Sequence, residues 1–272
     1  MTLRAAHHGD VAGIQARLDE LRRRADLPPA APRDALTLEP GGAVVGSLER
    51  PVAERLARDG LLRFGPDAWR VEAPASPSLA RIAQWLVDAG LGGRWRNELL
   101  DVVDAGQTHL AVIERAAVRP LGIKTFAVHL VGVCADARVW VQQRALDKAT
   151  DPGHWDTTMG GQVGAGESAA DALERETWEE AGLRGAALRQ VVQVERLQMR
   201  RPVHEGYLIE QIDVFEAVVP EGTEPRNQDG EVHAFECLTP VQLRERLDAD
   251  VFTLEAAIIL WGWLGRRAAA GR

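Results

Sequence analysis

Cysteine is scarce in this chain: only Cys134 and Cys237 carry thiols among 272 residues, and neither belongs to a C-x-x-C pair. Thiolate zinc sites and disulfide scaffolds therefore have nothing to be built from, and both cysteines are expected to be small buried apolar residues. Long hydrophobic runs are lacking too. The longest candidate, Ala256-Ala257-Ile258-Ile259-Leu260-Trp261, falls far short of the roughly 18 apolar residues that a membrane span needs. Near the N-terminus, Asp10, Asp19 and Glu20 interrupt the arginines and no apolar core follows, which is not the pattern of a secretory signal. The expectation is a cytoplasmic protein without a membrane partner. Basic excess is absent as well, for the net charge is -8, and residues 116–272 carry all but one unit of it. Such a balance excludes bare nucleic acid as the main partner, since backbone binding draws on clustered Lys and Arg. An acidic site that meets phosphates through metal cations escapes that objection. Lysine is nearly missing: Lys124 and Lys148 are the only two among 32 basic residues, so the place of each calls for a reason.

What is present is an ordinary globular composition, 46% hydrophobic and 26% charged, long enough for two domains. There is no internal repeat. Residues 10–25 read as an amphipathic helix with Asp10 as N-cap, apolar Val11, Ile14, Leu18 and Leu21 on one face, and Pro28-Pro29 beyond its end. Strand-like pieces at 36–38, 43–48, 61–64 and 68–71 then alternate with helical stretches at 51–58 and 77–89, a small α+β module. From about Gly122 longer β-type runs take over, at 123–134 and 139–143, followed by a Gly-rich turn and one strongly capped helix. Further strands are expected at 188–195, 207–218 and 232–238, with terminal helices from about Pro240 and Thr253. The division drawn is 1–115 and 116–272.

The stretch that carries chemistry runs from Gly160-Gly161 through Gly166-Glu167-Ser168 to Arg175-Glu176-Thr177-Trp178-Glu179-Glu180-Ala181-Gly182-Leu183. Ser168 with Asp171 three residues on is a capping-box start, and Gly182 before Leu183 is a left-handed stop, so a helix lies between them. Glu176, Glu179 and Glu180, spaced i, i+3, i+4, share one face of it. Like charges so placed repel unless a cation neutralises them, and oxygen-only ligands suit hard divalent ions, Mg²⁺ or Mn²⁺. A solvated acidic helix face is the plain alternative for three glutamates taken alone. Trp178 points away from the carboxylates and is expected to pack against other structure.

With its flanks, the pattern Gly161, five residues, Glu167, seven residues, Arg175-Glu176-x-x-Glu179-Glu180-x-Gly182-Leu183 resembles the Nudix hydrolase box with every fixed position filled. Thr177 departs from the usual aliphatic residue. The flanking segments, Gly122 to Leu130, Val139 to Arg144, Lys148, Pro152 to Asp156 and Pro225 to Val232, are similar to the subgroup related to the Nudix part of fungal thiamine pyrophosphokinase and its plant relatives. Residues 36–119, including Gly92 to Glu98, resemble the N-terminal extension of that subgroup. The resemblance implies an α+β protein: a Nudix α/β/α sandwich with a mixed sheet, preceded by a small α+β domain. It implies metal-dependent hydrolysis of a small-molecule diphosphate to the monophosphate plus phosphate, in this subgroup oxidised forms of thiamine diphosphate.

Carried onto this chain, the resemblance makes Glu176 and Glu180 direct metal ligands, Glu179 a third ligand or a water-orienting group, and the Gly160 carbonyl part of the shell. Glu167 supports that shell, and Arg175 locks loop to helix by pairing with carboxylates. Glu231 is a candidate base or substrate contact, the alternative being an ordinary strand-edge glutamate. Lys148 and Arg144 are candidates for holding phosphate; Trp95, Phe126 and Trp155 are candidates for stacking on the organic half, or else core. Three other functions stay open: an ADP-ribose or nucleotide-sugar pyrophosphatase, an isopentenyl-diphosphate-isomerase-like enzyme, which shares the fold but uses a catalytic cysteine, and a non-catalytic binding module. Homodimer formation is also left open.

Overall fold

The computed structural model describes residues 3–184 and 187–271, with side chains from Val11 onward. Its first helix, α1 (Leu3–Ala25), begins before Asp10, so that residue falls inside the helix and does not cap it. Ile14, Leu18, Leu21 and Ala25 recur at helical spacing and form its buried stripe.

An α+β module follows. Strands β1 (Arg33–Leu38), β2 (Ala43–Glu49), β3 (Arg63–Phe64) and β4 (Trp69–Val71) make a four-stranded sheet in the order β2-β1-β4-β3, with β1 and β4 parallel. Helix α2 (Arg50–Arg58) carries Pro51 in its first turn, where the missing N–H would have had no helical partner in any case. Helix α3 (Ala75–Asp88) buries Leu79, Ile82, Ala83 and Leu86 in the same core. The next element is a hairpin absent from the sequence reading: β5 (Leu99–Val103) against β6 (His109–Glu114), with Leu100, Val102, Ala111 and Ile113 turned into that core.

The expected α/β/α sandwich occupies the second half. Strands β7 (Lys124–Val133), β8 (Val139–Arg144), β11 (Arg189–Val203), β12 (Gly206–Val218) and β13 (Val232–Leu238) lie in the order β11-β12-β7-β8-β13, with β7 and β12 parallel. Two short strands, β9 (Trp155–Asp156) and β10 (Met159–Gln162), add to β8 and β7, so the segment read as a Gly-rich turn begins as a strand. Along β7 alternate side chains serve opposite layers. Ala127, Val131 and Val133 meet one core, Val128 and Leu130 the other. Helix α4 (Ala169–Ala181) covers the second face, while α5 (Pro240–Asp248) and α6 (Leu254–Ala269) cover the first. The apolar run of the sequence is the middle of α6, buried from Ala256 to Leu264. No helix among the described residues is long and apolar enough to cross a membrane. Helix α1 packs on α6, so the N-terminal segment joins the core of the second half. The cysteines depart from expectation: both are half-buried, Sγ to Sγ 3.5 Å apart, one after β7 and the other in β13.

Candidate functional site

Helix α4 is fixed at both ends by its own sequence. Ser168 Oγ accepts the Asp171 N–H at 3.2 Å and the Asp171 carboxylate accepts the Ser168 N–H at 3.1 Å, while Gly182 stops the helix at φ 64°. Between those caps Thr177 and Glu180 are buried, Glu176 is largely covered, and Glu179 stands at the rim. Trp178 does not pack into other structure as expected: it is exposed at the surface and carries the Arg184 guanidinium over its ring at 4.1 Å.

Arg175 organises one side of this face. Its Nε and Nη2 each donate to one oxygen of Glu167 at 2.8 Å, its Nη1 to Glu176 at 2.7 Å and Glu179 at 3.1 Å, and its Nη2 also to the Gln162 carbonyl at 2.9 Å. Glu167 in turn accepts the Gly164 N–H at 2.8 Å, which closes the loop onto the helix. The Arg175 fork holds the Glu167 carboxyl below its ordinary range, against an opposing push from burial. Gly161 has a steric reason to be glycine: a Cβ there would run into the Glu176 carboxylate. Burial first, and the Glu180 charge second, push the Glu176 carboxyl up to about 7.

Glu180 lies deeper. One of its oxygens accepts Gln142 Nε2 at 2.8 Å and the Gly160 N–H at 3.1 Å, and the other faces Lys148 Nζ at 3.3 Å. Burial raises its carboxyl despite these donors. Lys148 also reaches Glu231 at 2.6 Å, so one of the two lysines bridges the helix and the loop before β13. Burial tends to raise the Glu231 carboxyl, but the bond from Lys148 and the charges of Lys148, Arg96 and Arg115 outweigh it and hold it low.

The residues singled out in the sequence thus fall into two groups. Arg175, Glu176, Glu179, Glu180, Glu167, Gly160, Lys148 and Glu231 come together. Arg144 lines the same cleft but is spent on its own loop, donating to the Thr150 carbonyl at 3.0 Å and to Asp156 at 3.3 Å. Trp155 does not reach the cleft: it packs on the α6 side of the sheet beneath Arg246, 4.6 Å from its ring centre. Phe126 sits under the Lys124 ammonium at 4.9 Å, outside the lining of the cleft, whereas Trp95 does line it. Three contributors escaped the sequence reading. A glutamine in a strand with buried Val139 and Val141 asks for a partner, and Gln142 finds Glu180. From β5, Asp101 accepts the Gly166 N–H at 3.1 Å and the Leu99 carbonyl accepts that of Ala165 at 2.8 Å, so the N-terminal hairpin braces the box loop. The third is an arginine pair, Arg94 and Arg96, on the far wall.

These groups open onto one cleft of about 1000 Å³ between the α4 carboxylates, the β11–β12 turn and residues 94–98. Its donors are hard oxygens: three carboxylates, one buried and one largely covered, with Arg175 and Lys148 as their only close cations among the described residues. That donor set suits a hard divalent cation. Three acidic groups do not already converge on one point among the described residues, since the glutamates are turned toward Arg175 and Lys148.

Comparison with known proteins agrees with this geometry. The family model described as NUDIX domain matches residues 124–257. Over 170 residues the chain is 30% identical to Nudix hydrolase 20, chloroplastic, of Arabidopsis thaliana, covering 61% of this chain and 46% of that protein. It is 39% identical over 93 residues to an uncharacterized Nudix hydrolase of Pseudomonas aeruginosa, covering 34% of this chain and 55% of that one. An isopentenyl-diphosphate Delta-isomerase of Rhodobacter capsulatus is 32% identical over 157 residues, which cover 57% of this chain and 81% of the isomerase. The chain spans about half the length of the first two relatives.

Proposed function

The chain belongs to the NUDIX family, and from that premise we propose that it is a hydrolase that cleaves a small-molecule diphosphate with the help of a divalent cation, Mg²⁺ or Mn²⁺. The observation that carries the reading is the pair of covered carboxylates, Glu176 and Glu180, on the floor of a large cleft beside a bridging lysine. Water attacks one phosphorus of the anhydride, the bridging P–O bond breaks, and the products are a monophosphate and phosphate. Because two anions must meet, charge neutralisation and alignment supply most of the acceleration.

In this reading Glu176, Glu179 and Glu180 would hold the cation, which would supply positive charge to the anhydride. Arg175 keeps loop and helix in register by tying Glu167 to Glu176 and Glu179. Lys148 lies where a phosphoryl oxygen can compete with Glu231 for its ammonium. When the lysine turns to phosphate, Glu231 loses the bond that holds its affinity for protons down, and it becomes the better base for the proton of the attacking water. Residues 1–115 act as the cover that sets specificity, since their hairpin braces the box loop and their residues 94–98 form the opposite wall.

The organic half of the substrate is neutral or anionic. Arginines that line the cleft, Arg94, Arg96, Arg115 and Arg119 among them, disfavour a second cation in it such as a thiazolium ring, whereas an oxidised thiamine diphosphate, whose added oxygen removes the ring charge, escapes that repulsion. ADP-ribose and nucleotide sugars satisfy the same condition. Similarity to isopentenyl-diphosphate isomerases supports a second reading, isomerisation of an alkenyl diphosphate. Against it, neither cysteine belongs to the cleft lining. Formation of monophosphate products from a panel of these diphosphates, read by phosphorus NMR with Mg²⁺, Mn²⁺ or EDTA, tests the proposal; ADP-ribose and nucleotide sugars would give two organic monophosphates in place of one and free phosphate. Turnover that survives EDTA unchanged, or no turnover of any panel member, would overturn it.

A further inference from the structure

The far wall of the cleft is a built loop. The Gly93 N–H donates to the Ala116 carbonyl at 2.8 Å, and the N–H groups of Arg96 and Glu98 donate to the two oxygens of Glu114, at 3.0 and 3.1 Å. Glu114 is itself buried, 2% exposed, and so acts as an internal clamp for residues 96–98. Arg115 grips the Glu98 carboxylate at 2.8 and 3.0 Å and donates its own N–H to the Glu98 carbonyl at 2.9 Å. The indole of Trp95 is tethered to Asn97 Oδ1 at 2.8 Å. Backbone and acids here are spent on shape.

Two side chains are not. The guanidiniums of Arg94 and Arg96 line the cleft, and neither has an ion pair or a side-chain hydrogen bond among the described residues. Burial first, then the charge of Arg115 and to a lesser degree that of Arg94, weigh against the charged form of Arg96. Neighbouring acids offset this only in part: Glu231 and Glu98 attract Arg96, but Glu231 is bonded to Lys148 and Glu98 to Arg115, while Glu205 pairs with Arg119 and Glu210 accepts from Thr125 and Gln162. Their field points at the reaction centre, for the charges of Arg96 and Arg115 are felt at Glu231, which shares Lys148 with Glu180. A preformed loop that places two guanidinium forks in the cleft that Lys148 also lines matches the needs of a phosphate, which guanidinium binds through two parallel N–H bonds.

We propose that Arg94 and Arg96 form an anion-holding arm that the N-terminal module lends to the site, binding the phosphate group of the substrate that the α4 carboxylates do not hold. The description of that phosphate as part of a substrate rests on the hydrolase reading; anion binding by the arm does not. The arm makes the cleft select for charge at the phosphate end that the carboxylate helix alone cannot sense, and Trp95, 37% exposed beside it, offers its ring to a planar group.

Calorimetric titration with inorganic pyrophosphate in EDTA tests the arm with the cation sites idle. The affinity of Arg94→Ala and of Arg96→Ala is expected to fall about tenfold each, as for a lost hydrogen bond to a charged group, and that of the double variant further. Arg94→Lys/Arg96→Lys should recover part of the loss, and Arg184→Ala, at the far end of α4, should change nothing. Melting temperatures should stay within a few degrees of the wild type, because the guanidiniums have no partner to lose; a collapse would show that they are structural and overturn the proposal. So would a wild type that does not bind pyrophosphate, or a double variant that binds it equally well. With a turned-over diphosphate, KM should rise by the same factor while kcat changes less than about threefold. If the wild type hydrolyses nothing yet binds pyrophosphate through these arginines, the hydrolase reading fails and the arm stands.

Discussion

Replacing Glu180 by Gln separates the charge of that residue from its shape. The side chain is 1% exposed, one of its oxygens takes both Gln142 Nε2 and the Gly160 N–H, and the other faces Lys148 at 3.3 Å. A glutamine can put its carbonyl oxygen where two donors already converge, which leaves its amide against the lysine, donor to donor. The lost bond to Lys148 is worth about 1.5 to 3 kcal/mol. Against it, the neutral amide escapes the burial penalty of a carboxylate, several kcal/mol per ion, and Lys148 keeps Glu231 at 2.6 Å. The two terms oppose, so stability should move by no more than about 2 kcal/mol in either direction, or less than about 8 °C in Tm for a chain of this size. Turnover should fall by about 100-fold or more, because a neutral oxygen is a poor ligand for a hard cation. Thermal melts and phosphate release at saturating Mg²⁺ read both quantities. A variant that keeps more than about a tenth of wild-type turnover, or that melts some 15 °C lower, would refute the reasoning, the first by removing Glu180 from the cation and the second by making it structural.

Gly161→Ala should lower stability by about 1 to 3 kcal/mol through overpacking and cut kcat sharply, since the new methyl takes the place of the Glu176 carboxylate; unchanged kcat would mean that Glu176 can move away without consequence. Glu255, at the start of α6, has its carboxyl raised by burial in spite of Arg201. A raised acid favours the fold below its unfolded pKa of about 4.5 and loses that advantage as pH rises through the folded value. Glu255→Gln should therefore gain in Tm relative to the wild type as pH goes from 4.5 to 8, and a difference independent of pH would contradict the assignment. Removing residues 1–115 strips Ile14, Leu18 and Leu21 from α6, at about 1.5 to 3 kcal/mol each. That sum is comparable with the whole stability of a domain, so the truncated chain should be insoluble or molten, and a sharp two-state melt near that of the full chain would show α1 to be dispensable.

Local signals carried what the sequence made readable. Caps at Ser168 and Gly182 bracketed α4 to the residue, and the i, i+3, i+4 glutamates gave the face that the structure turns to the cleft. Alternating apolar runs gave β7, β8, β12 and β13. Hidden parts depended on partners remote in the chain. The β5–β6 hairpin carries charged or polar residues at Asp101, His109 and Glu114, which break the alternation, and their purpose is visible only beside Gly166 and residues 96–98. Strand β11 continues past Glu195 with Arg196 and Arg200 on its solvated face, while Arg201 turns to the inner face, where it pairs with Glu255. Gly160-Gly161 read as a turn because glycine weakens strands; here its lack of a side chain makes room for His129 and Glu176. Trp155 had the right neighbours in sequence and the wrong face of the sheet.

Hydrolysis in ¹⁸O-labelled water tests the central claim most directly. The purified chain, given a diphosphate that it consumes and either Mg²⁺ or EDTA, should place one ¹⁸O in one of the two phosphate products, detected by mass spectrometry, with Mg²⁺ and not with EDTA. Product that forms without label, or label incorporation that persists in EDTA, would contradict a cation-assisted attack of water at the α4 carboxylates.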